Sequence, residues 1–195
     1  MTKRILLGGV VGGIVMFLWG ALSHMVLGLG ETGIKELPNE EAVIAAMRAA
    51  TREPGFYFFP GREESPGMTK EQQQAAMQKW EAKYREGPTG ILIYHPQGEQ
   101  PLSPKQLLRQ VGFNIMSGLL AAFLLSKALG GLPGFGGRVL FVTLLGLFGS
   151  LIVNFPYWNW YRFPSNYTLA VLADQLISFC LAGLAIAPIV KRSAA

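Results

Sequence analysis

Four apolar runs constrain this chain more than any other feature of its sequence. They cover residues 5–29, 107–129, 139–155 and 168–190. An α-helix needs about 20 apolar residues to cross roughly 30 Å of hydrocarbon, and each run is near that length. Only 15% of the residues are charged, whereas a soluble domain usually carries about 25%. We therefore predict an all-α integral membrane protein with four transmembrane helices.

The predicted helices leave one long polar segment, which divides the chain into three parts. Residues 1–29 form the first transmembrane helix, residues 30–105 form a small extracytoplasmic α+β insert, and residues 106–195 form the other three helices with short loops. The first run also has the basic start of a secretory signal, and Ser23 ends a cleavage-like sequence. Because its apolar residues continue to Leu29, we interpret the run as a retained helix.

The insert has the local signals of a small mixed fold. Asn39 is a candidate N-cap for a first helix, and Thr69 with Gln72 has the spacing of a capping box for a second. Residues 56–59 and 91–94 are short aromatic or aliphatic runs that are typical of strands. So few elements bury little apolar surface on their own. We therefore expect the insert to depend on the membrane helices or on a partner.

The distribution of basic residues predicts the orientation in the membrane. The side that carries both termini has basic residues and no acidic one, namely Lys3, Arg4, Lys127, Arg138, Lys191 and Arg192. Cytoplasmic loops are enriched in Lys and Arg. We therefore expect both termini in the cytoplasm of a bacterial cell, with the inner membrane crossed four times and residues 30–105 and 156–167 outside. The sequence shows no basic stripe with base-stacking aromatics, so we do not expect nucleic acid as a partner.

Asp174 stands out because it is the only acidic residue outside residues 31–99, and it lies within the fourth apolar run. A charge near the centre of a bilayer costs at least about 2.5–3.5 kcal/mol, so this carboxylate should face protein or water. Helical phase, at about 100° per residue, places polar side chains of the other helices on inward faces at a similar depth. The predicted buried polar cluster comprises His24, Gln110, Asn114, Asp174, Gln175 and Ser178.

Two hypotheses account for this cluster. In the first, Asp174 and His24 exchange a proton or hold a polar ligand, since a carboxylate and an imidazole are the usual relay groups within membranes. In the second, hydroxyl or amide partners satisfy Asp174 near the interface, and the residue only fixes the register of the helices. The sequence leaves both open.

The content of histidine and cysteine limits metal and haem chemistry. The chain has two histidines, His24 and His95, and one cysteine, Cys180. A haem held by two histidines among the helices would need a second buried histidine, and a tetrahedral metal site would need more ligands. We therefore predict no metal and no cofactor. A haem shared with another subunit would take its second ligand from that subunit.

Residues 155–164 form the densest local signal, which we predict to be a stiff loop between the third and fourth helices. Six of these ten residues are aromatic and two are proline. Tyr and Trp collect at membrane interfaces, so an aromatic belt is one interpretation. The other is a surface that docks a neighbouring subunit, the 56–59 strand, or a lipid or quinone headgroup. The docking residues would be Phe155, Tyr157, Trp158, Trp160, Tyr161, Arg162 and Phe163.

One face of the first helix is lined by small residues, among them Gly9, Gly13 and Gly20. Small residues allow helix backbones to approach closely within a membrane, where apolar side chains gain little by leaving lipid. We interpret this face as a packing surface for other helices of the same chain, with dimerisation as the alternative.

Three classes of function fit these features. The first is a non-catalytic subunit of a larger membrane complex, which stabilises or docks other subunits through the aromatic loop and the insert. The second is a small oligomeric transporter or channel with a polar site at Asp174 and His24. The third is a membrane enzyme, or a protein that binds quinone or lipid, with His24 and Asp174 as acid and base and Arg162 as an anion clamp. We expect membrane lipids and other membrane subunits as partners.

Overall fold

The computed structural model describes residues 1–191. These residues form α1 (Thr2–Met25), α2 (Glu40–Ala50), β1 (Gly55–Phe59), α3 (Lys70–Glu86), β2 (Gly90–Tyr94), α4 (Pro104–Ala128), α5 (Phe135–Tyr161) and α6 (Ser165–Ile186). Four of the helices, α1, α4, α5 and α6, are long and apolar enough to cross a membrane. The predicted arrangement of four apolar helices with a small two-stranded sheet is therefore confirmed. Arg192, one of the basic residues counted above, lies outside the described residues.

The chain divides into two compact units. The helical unit comprises Met1–Lys35 and the chain from Gln100 onward, and the second unit comprises Glu36–Glu99. The second unit thus begins later and ends earlier than the insert of residues 30–105 expected from the sequence. At the first boundary, a 3-10 turn, Leu29–Glu31, contacts α1 and α6 and so belongs to the helical unit.

Within the helical unit, α1 packs against α4 on one side and against α6 on the other. Helix α5 packs against α6 and contacts α4 far less. The spatial order of the helices is therefore α4, α1, α6, α5. Their shared core lies towards the end that carries both chain termini, and it consists of Met16, Ala121, Ala122, Leu125, Leu129, Val142, Ala182, Ile186 and Val190.

Glycines on α1 explain how this helix fits between two neighbours. A Cβ atom at Gly9 would lie 2.6 Å from Leu119 Cδ2 on α4, and one at Gly12 would lie 2.6 Å from Ile186 Cδ1 on α6. Gly13 lies against the α4 backbone in the same way. At Gly20, by contrast, a Cβ atom would meet nothing within 4 Å. Close approach therefore depends on the glycines of the first half of α1.

The second unit is built on a short antiparallel sheet. Strands β1 and β2 pair with Tyr57 opposite Leu92 and Phe56 opposite Ile93. The predicted strands are therefore present within a residue of their expected ends. Helix α3 begins with the predicted capping box, in which the Thr69 hydroxyl accepts from the Gln72 amide and the Gln72 side chain accepts from the Thr69 amide.

The first helix of this unit begins as predicted but is capped differently. Asn39 occupies the N-cap position of α2, yet its side chain makes no capping hydrogen bond. Its backbone is left-handed, with φ of 52°, a conformation that Asn tolerates better than most residues. Asn39 therefore contributes to the start of α2 through its backbone conformation and not through a side-chain hydrogen bond.

The prediction of a loop over residues 155–164 is wrong for most of its length. Helix α5 continues through Pro156 to Tyr161, and only residues 162–164 separate it from α6. A proline removes one backbone donor, but neighbouring contacts can sustain a membrane helix through it. Here the Trp158 indole donates to Ser165 Oγ at 3.0 Å. This contact holds the end of α5 against the start of α6.

Candidate functional site

The Asp174 carboxylate is bound by a tryptophan that the sequence analysis did not include. Trp19 Nε1, on α1, donates to Asp174 Oδ1 at 2.8 Å and lies 3.2 Å from the Asp174 carbonyl oxygen. Both side chains are partly buried. Trp19 could have been found from sequence, because a buried indole N–H usually needs an acceptor and α6 has one carboxylate. The bond joins α1 to α6.

Gln175, the next residue along α6, faces a different helix. Its Oε1 accepts from Asn154 Nδ2 at 3.3 Å, and the same amide nitrogen donates to Ser150 Oγ at 2.9 Å. Gly149 leaves room for this contact, since a Cβ atom there would lie 3.1 Å from Gln175 Nε2. Consecutive residues of a helix point about 100° apart. Helix α6 therefore uses Asp174 to bind α1 and Gln175 to bind α5.

His24 is held within its own helix. It is exposed, and its Nδ1 lies 2.9 Å from Ser23 Oγ and 3.1 Å from the Gly20 carbonyl oxygen. The imidazole ring also contacts Gly30 in the turn that follows α1. Among residues 1–191, no chain of side-chain hydrogen bonds joins His24 to Asp174.

The polar residues of α4 also pair locally. Gln110 Nε2 donates to Asn114 Oδ1 at 3.1 Å, one turn further along the same helix. Ser178 is partly buried on α6, one turn beyond Asp174. The structure therefore places five of the six predicted polar residues in separate contacts, two of which cross between helices. This geometry suits cross-linking of α1, α6 and α5 better than transfer of a proton.

Three of the predicted aromatic residues form a continuous group with Tyr167 at the α5–α6 connection. Tyr157 contacts Tyr161 and Phe163, with ring centroids 5.8 Å and 5.4 Å apart. Phe163 in turn contacts Tyr167, at 5.6 Å. The backbone amides of Arg162 and Phe163 both donate to the Tyr157 carbonyl, which closes the end of α5. These contacts hold Tyr157, Tyr161 and Phe163 together at the end of α5.

Two of the other predicted aromatic residues border a small groove. Phe155 and Trp158, whose rings make an edge contact at 6.3 Å, line an apolar space of about 150 Å³ together with Thr168 and Leu169. Trp160 projects outward and is 72% exposed. Indole and phenol rings in such a position suit either an interface with lipid headgroups or a contact with another protein.

Metal-binding residues are sparse in the described part of the chain. Within residues 1–191, no three His, Cys, Asp or Glu side chains lie close enough to hold a metal ion. Comparisons of the chain with protein-family models, with curated proteins and with solved structures give no match.

Proposed function

We propose that the protein is a non-catalytic integral membrane subunit of a larger membrane protein complex, and that it docks a partner through the unit Glu36–Glu99. In this proposal α1, α4, α5 and α6 cross the bilayer. The outward faces of these helices support this, because large apolar side chains such as Leu18, Leu120 and Phe148 are 60%, 59% and 64% exposed. Such a surface is costly in water and favourable in lipid.

The absence of a core in the unit Glu36–Glu99 carries the docking part of the proposal. No residue from 36 to 99 is fully buried. Ile93, on β2, is 64% exposed, and Phe59, on β1, is 41% exposed. A unit that buries so little of its apolar surface gains little stability from its own packing. A partner that covers the sheet would supply the missing burial.

The sheet itself indicates the kind of partner. Neither Gly55–Phe59 nor Gly90–Tyr94 contains a charged residue, although exposed edge strands are usually protected by charges or bulges. The described residues form a sheet of only two strands, so each strand has an outer edge. A partner segment in an extended conformation could add to such an edge through backbone hydrogen bonds. We therefore propose a protein partner that contributes a strand.

The basic residues support an orientation for this subunit. Lys3, Arg4, Lys127, Arg138 and Lys191 lie at the helix ends on the side of both termini. In a bacterial inner membrane, the positive-inside rule places that side in the cytoplasm. The unit Glu36–Glu99 would then lie on the extracytoplasmic side, where its partner would also be found. The aromatic group near Tyr157 and Phe163 would lie at the same interface and contact lipid headgroups or the partner.

Transport and catalysis receive less support from the same contacts. Either function at Asp174 would need a carboxylate available to an ion or substrate. Here Trp19 binds that carboxylate, and His24 is bound within α1. Both groups are used as structural contacts.

Site-specific cross-linking tests the docking proposal. A photo-reactive amino acid placed at Ile93 should form a covalent product with one other protein in native membranes. The matched control is the same amino acid at Leu37, which is 48% exposed in the same unit but lies outside both strands. A product from position 93 and none from position 37 is expected. Equal products from both positions would contradict a specific surface on the sheet.

A pair of substitutions gives an independent measure. Ile93→Asp should release the partner during purification, because it places a charge in the proposed interface. Leu37→Asp should retain it. Since Ile93 is mostly exposed, the substitution should change the secondary structure of the full chain little, which circular dichroism would check. Retention of the partner by a folded Ile93→Asp variant would overturn the proposed surface.

A further inference from the structure

The end of the helical unit that carries both termini has unbalanced positive charge. We call it the basic end, defined by Lys3, Arg4, Lys127, Arg138 and Lys191. Across residues 1–191 the ion pairs all lie within residues 62–85, so none of these five side chains pairs with a carboxylate. The acidic residues of the helical unit are Glu31 and Asp174. Both lie away from the basic end. Glu31 follows the last residue of α1, and Asp174 lies in the first half of α6.

Two of these basic side chains donate hydrogen bonds to backbone carbonyl groups. Arg4 Nη1 donates to the Lys191 carbonyl at 3.2 Å, and Arg138 Nη1 donates to the Pro133 carbonyl at 3.2 Å. These bonds fix the ends of α1 and α5 without neutralising their charge. The basic end therefore keeps an electrostatic preference for anions.

A groove opens at the basic end between the start of α1 and the last turns of α4. Its volume is about 390 Å³. Ile5, Leu6 and Phe123 line it with apolar surface, and Thr2 and Lys127 add a hydroxyl and an ammonium group. The Lys127 ammonium lies 5.3 Å from the centroid of the Phe123 ring. The groove thus combines a cationic donor with an apolar wall.

We propose that this groove binds an anionic phospholipid, with the phosphate beside Lys127 and Thr2 and an acyl chain along Leu6 and Phe123. The inference rests on the proposed membrane insertion and adds a specific ligand to it. Basic pockets between membrane helices on the cytoplasmic side suit acidic lipid headgroups. A lysine is a compact donor to phosphate. A free phosphate would not contact the apolar wall, whereas the acyl chain of a phospholipid would. The apolar wall therefore favours a lipid.

Lipid retention tests this proposal. The full chain is reconstituted in nanodiscs of phosphatidylcholine with a minor fraction of phosphatidylglycerol and then extracted in mild detergent. Mass spectrometry counts the phosphatidylglycerol that stays bound. Lys127→Gln should lower this retention about fivefold, and Lys127→Arg should preserve it. Lys191→Gln removes a charge from the same end outside the groove, so it should leave retention unchanged.

The apolar wall provides a second variant. Phe123→Ala should also lower retention of phosphatidylglycerol, and it answers the question even if Lys127→Gln fails to fold. Equal losses for Lys127→Gln and Lys191→Gln would overturn the groove in favour of diffuse surface charge. Displacement of the lipid by inorganic phosphate would overturn the lipid as ligand. A chain that enters nanodiscs but binds both lipids equally contradicts this inference alone, whereas a chain that does not enter them contradicts membrane insertion.

Discussion

The Trp19 indole donates a hydrogen bond of 2.8 Å to the Asp174 carboxylate and so joins α1 to α6, the first and last long apolar helices of the described residues. A carboxylate within an apolar helix needs a partner, and this bond supplies one without a basic residue. The contact lies beyond the apolar core, which is concentrated nearer the chain termini. It therefore stabilises the half of the helical unit that has the least hydrophobic packing.

Replacement of the tryptophan should reveal the energy of this contact. Trp19→Phe removes the donor and keeps most of the ring, so it should lower the free energy of unfolding by about 1–3 kcal/mol. Steric-trap unfolding in bicelles would measure the change. A double-mutant cycle with Asp174→Leu, which removes the side-chain acceptor, should give a coupling energy on the order of 1 kcal/mol. Additive effects of the two substitutions would contradict a direct contact.

The glycines of α1 should differ sharply in their tolerance of a methyl group. Gly9→Ala would place a Cβ atom 2.6 Å from Leu119 Cδ2 and 2.9 Å from the Leu119 backbone nitrogen. We expect a loss of about 1–3 kcal/mol in unfolding free energy, because α1 and α4 must separate. Gly20→Ala is the matched control, since its Cβ would meet no atom within 4 Å. Equal effects at both positions would be inconsistent with the observed packing.

Two polar side-chain pairs, one within α4 and one between α5 and α6, should contribute differently to the unfolding free energy. Gln175→Leu removes the contact between α6 and Asn154 of α5 and should cost about 0.6 kcal/mol, a typical value for a hydrogen bond between membrane helices. Gln110→Leu removes only a bond within α4, on an exposed side chain. We expect it to leave the unfolding free energy nearly unchanged. The same unfolding assay would rank the two variants, and the reverse order would count against the α5–α6 contact.

One exposed ion pair of the second unit should shift the titration of its glutamate. Lys79 Nζ lies 2.8 Å from Glu63 Oε1, and its hydrogen bond and positive charge lower the pKa of this carboxyl group below its ordinary value. The stabilisation is therefore present above the ordinary pKa of glutamate and is lost as the pH falls through the lowered pKa. In Lys79→Met, the pKa of Glu63 should rise towards its ordinary value. Carbon NMR titration of the labelled full chain would measure the change.

A charge-matched variant provides the control for that titration. Lys70→Met removes a lysine from the start of α3, where Lys70 has no part in the shift of the Glu63 pKa. It should leave that pKa low. A similar rise of the Glu63 pKa in both variants would show that the general surface charge, and not the contact with Lys79, lowers this pKa.

Much of the fold could be predicted because its signals are local. The apolar runs indicated the four long apolar helices. Thr69 with Gln72 marked the start of α3, because the first turn of a helix leaves backbone donors open that a capping box satisfies. The end of α5 could not be predicted in this way. Pro156 normally indicates a helix end, but contacts across the connection, such as Trp158 with Ser165, keep this segment helical.

The polar contacts were predictable only in part. Phase placed Asp174 on a face that meets another helix, but it did not identify the partner, since that depends on which helices are neighbours. The order α4, α1, α6, α5 brings Trp19 to Asp174 and Asn154 to Gln175. Phase put His24 at the margin of the inward face of α1. In the structure its side chain is exposed and contacts its own helix and the turn that follows. Helix order is a tertiary property, which periodicity alone does not specify.

The mass of the native particle tests the central proposal most directly. The full chain, extracted from native membranes in lipid nanodiscs that need no detergent, would be analysed by native mass spectrometry. A subunit of a larger complex predicts a particle that contains the 21.3 kDa chain and at least one other polypeptide in a fixed ratio. A particle that contains only this chain, as a monomer or a homo-oligomer, would contradict the proposal.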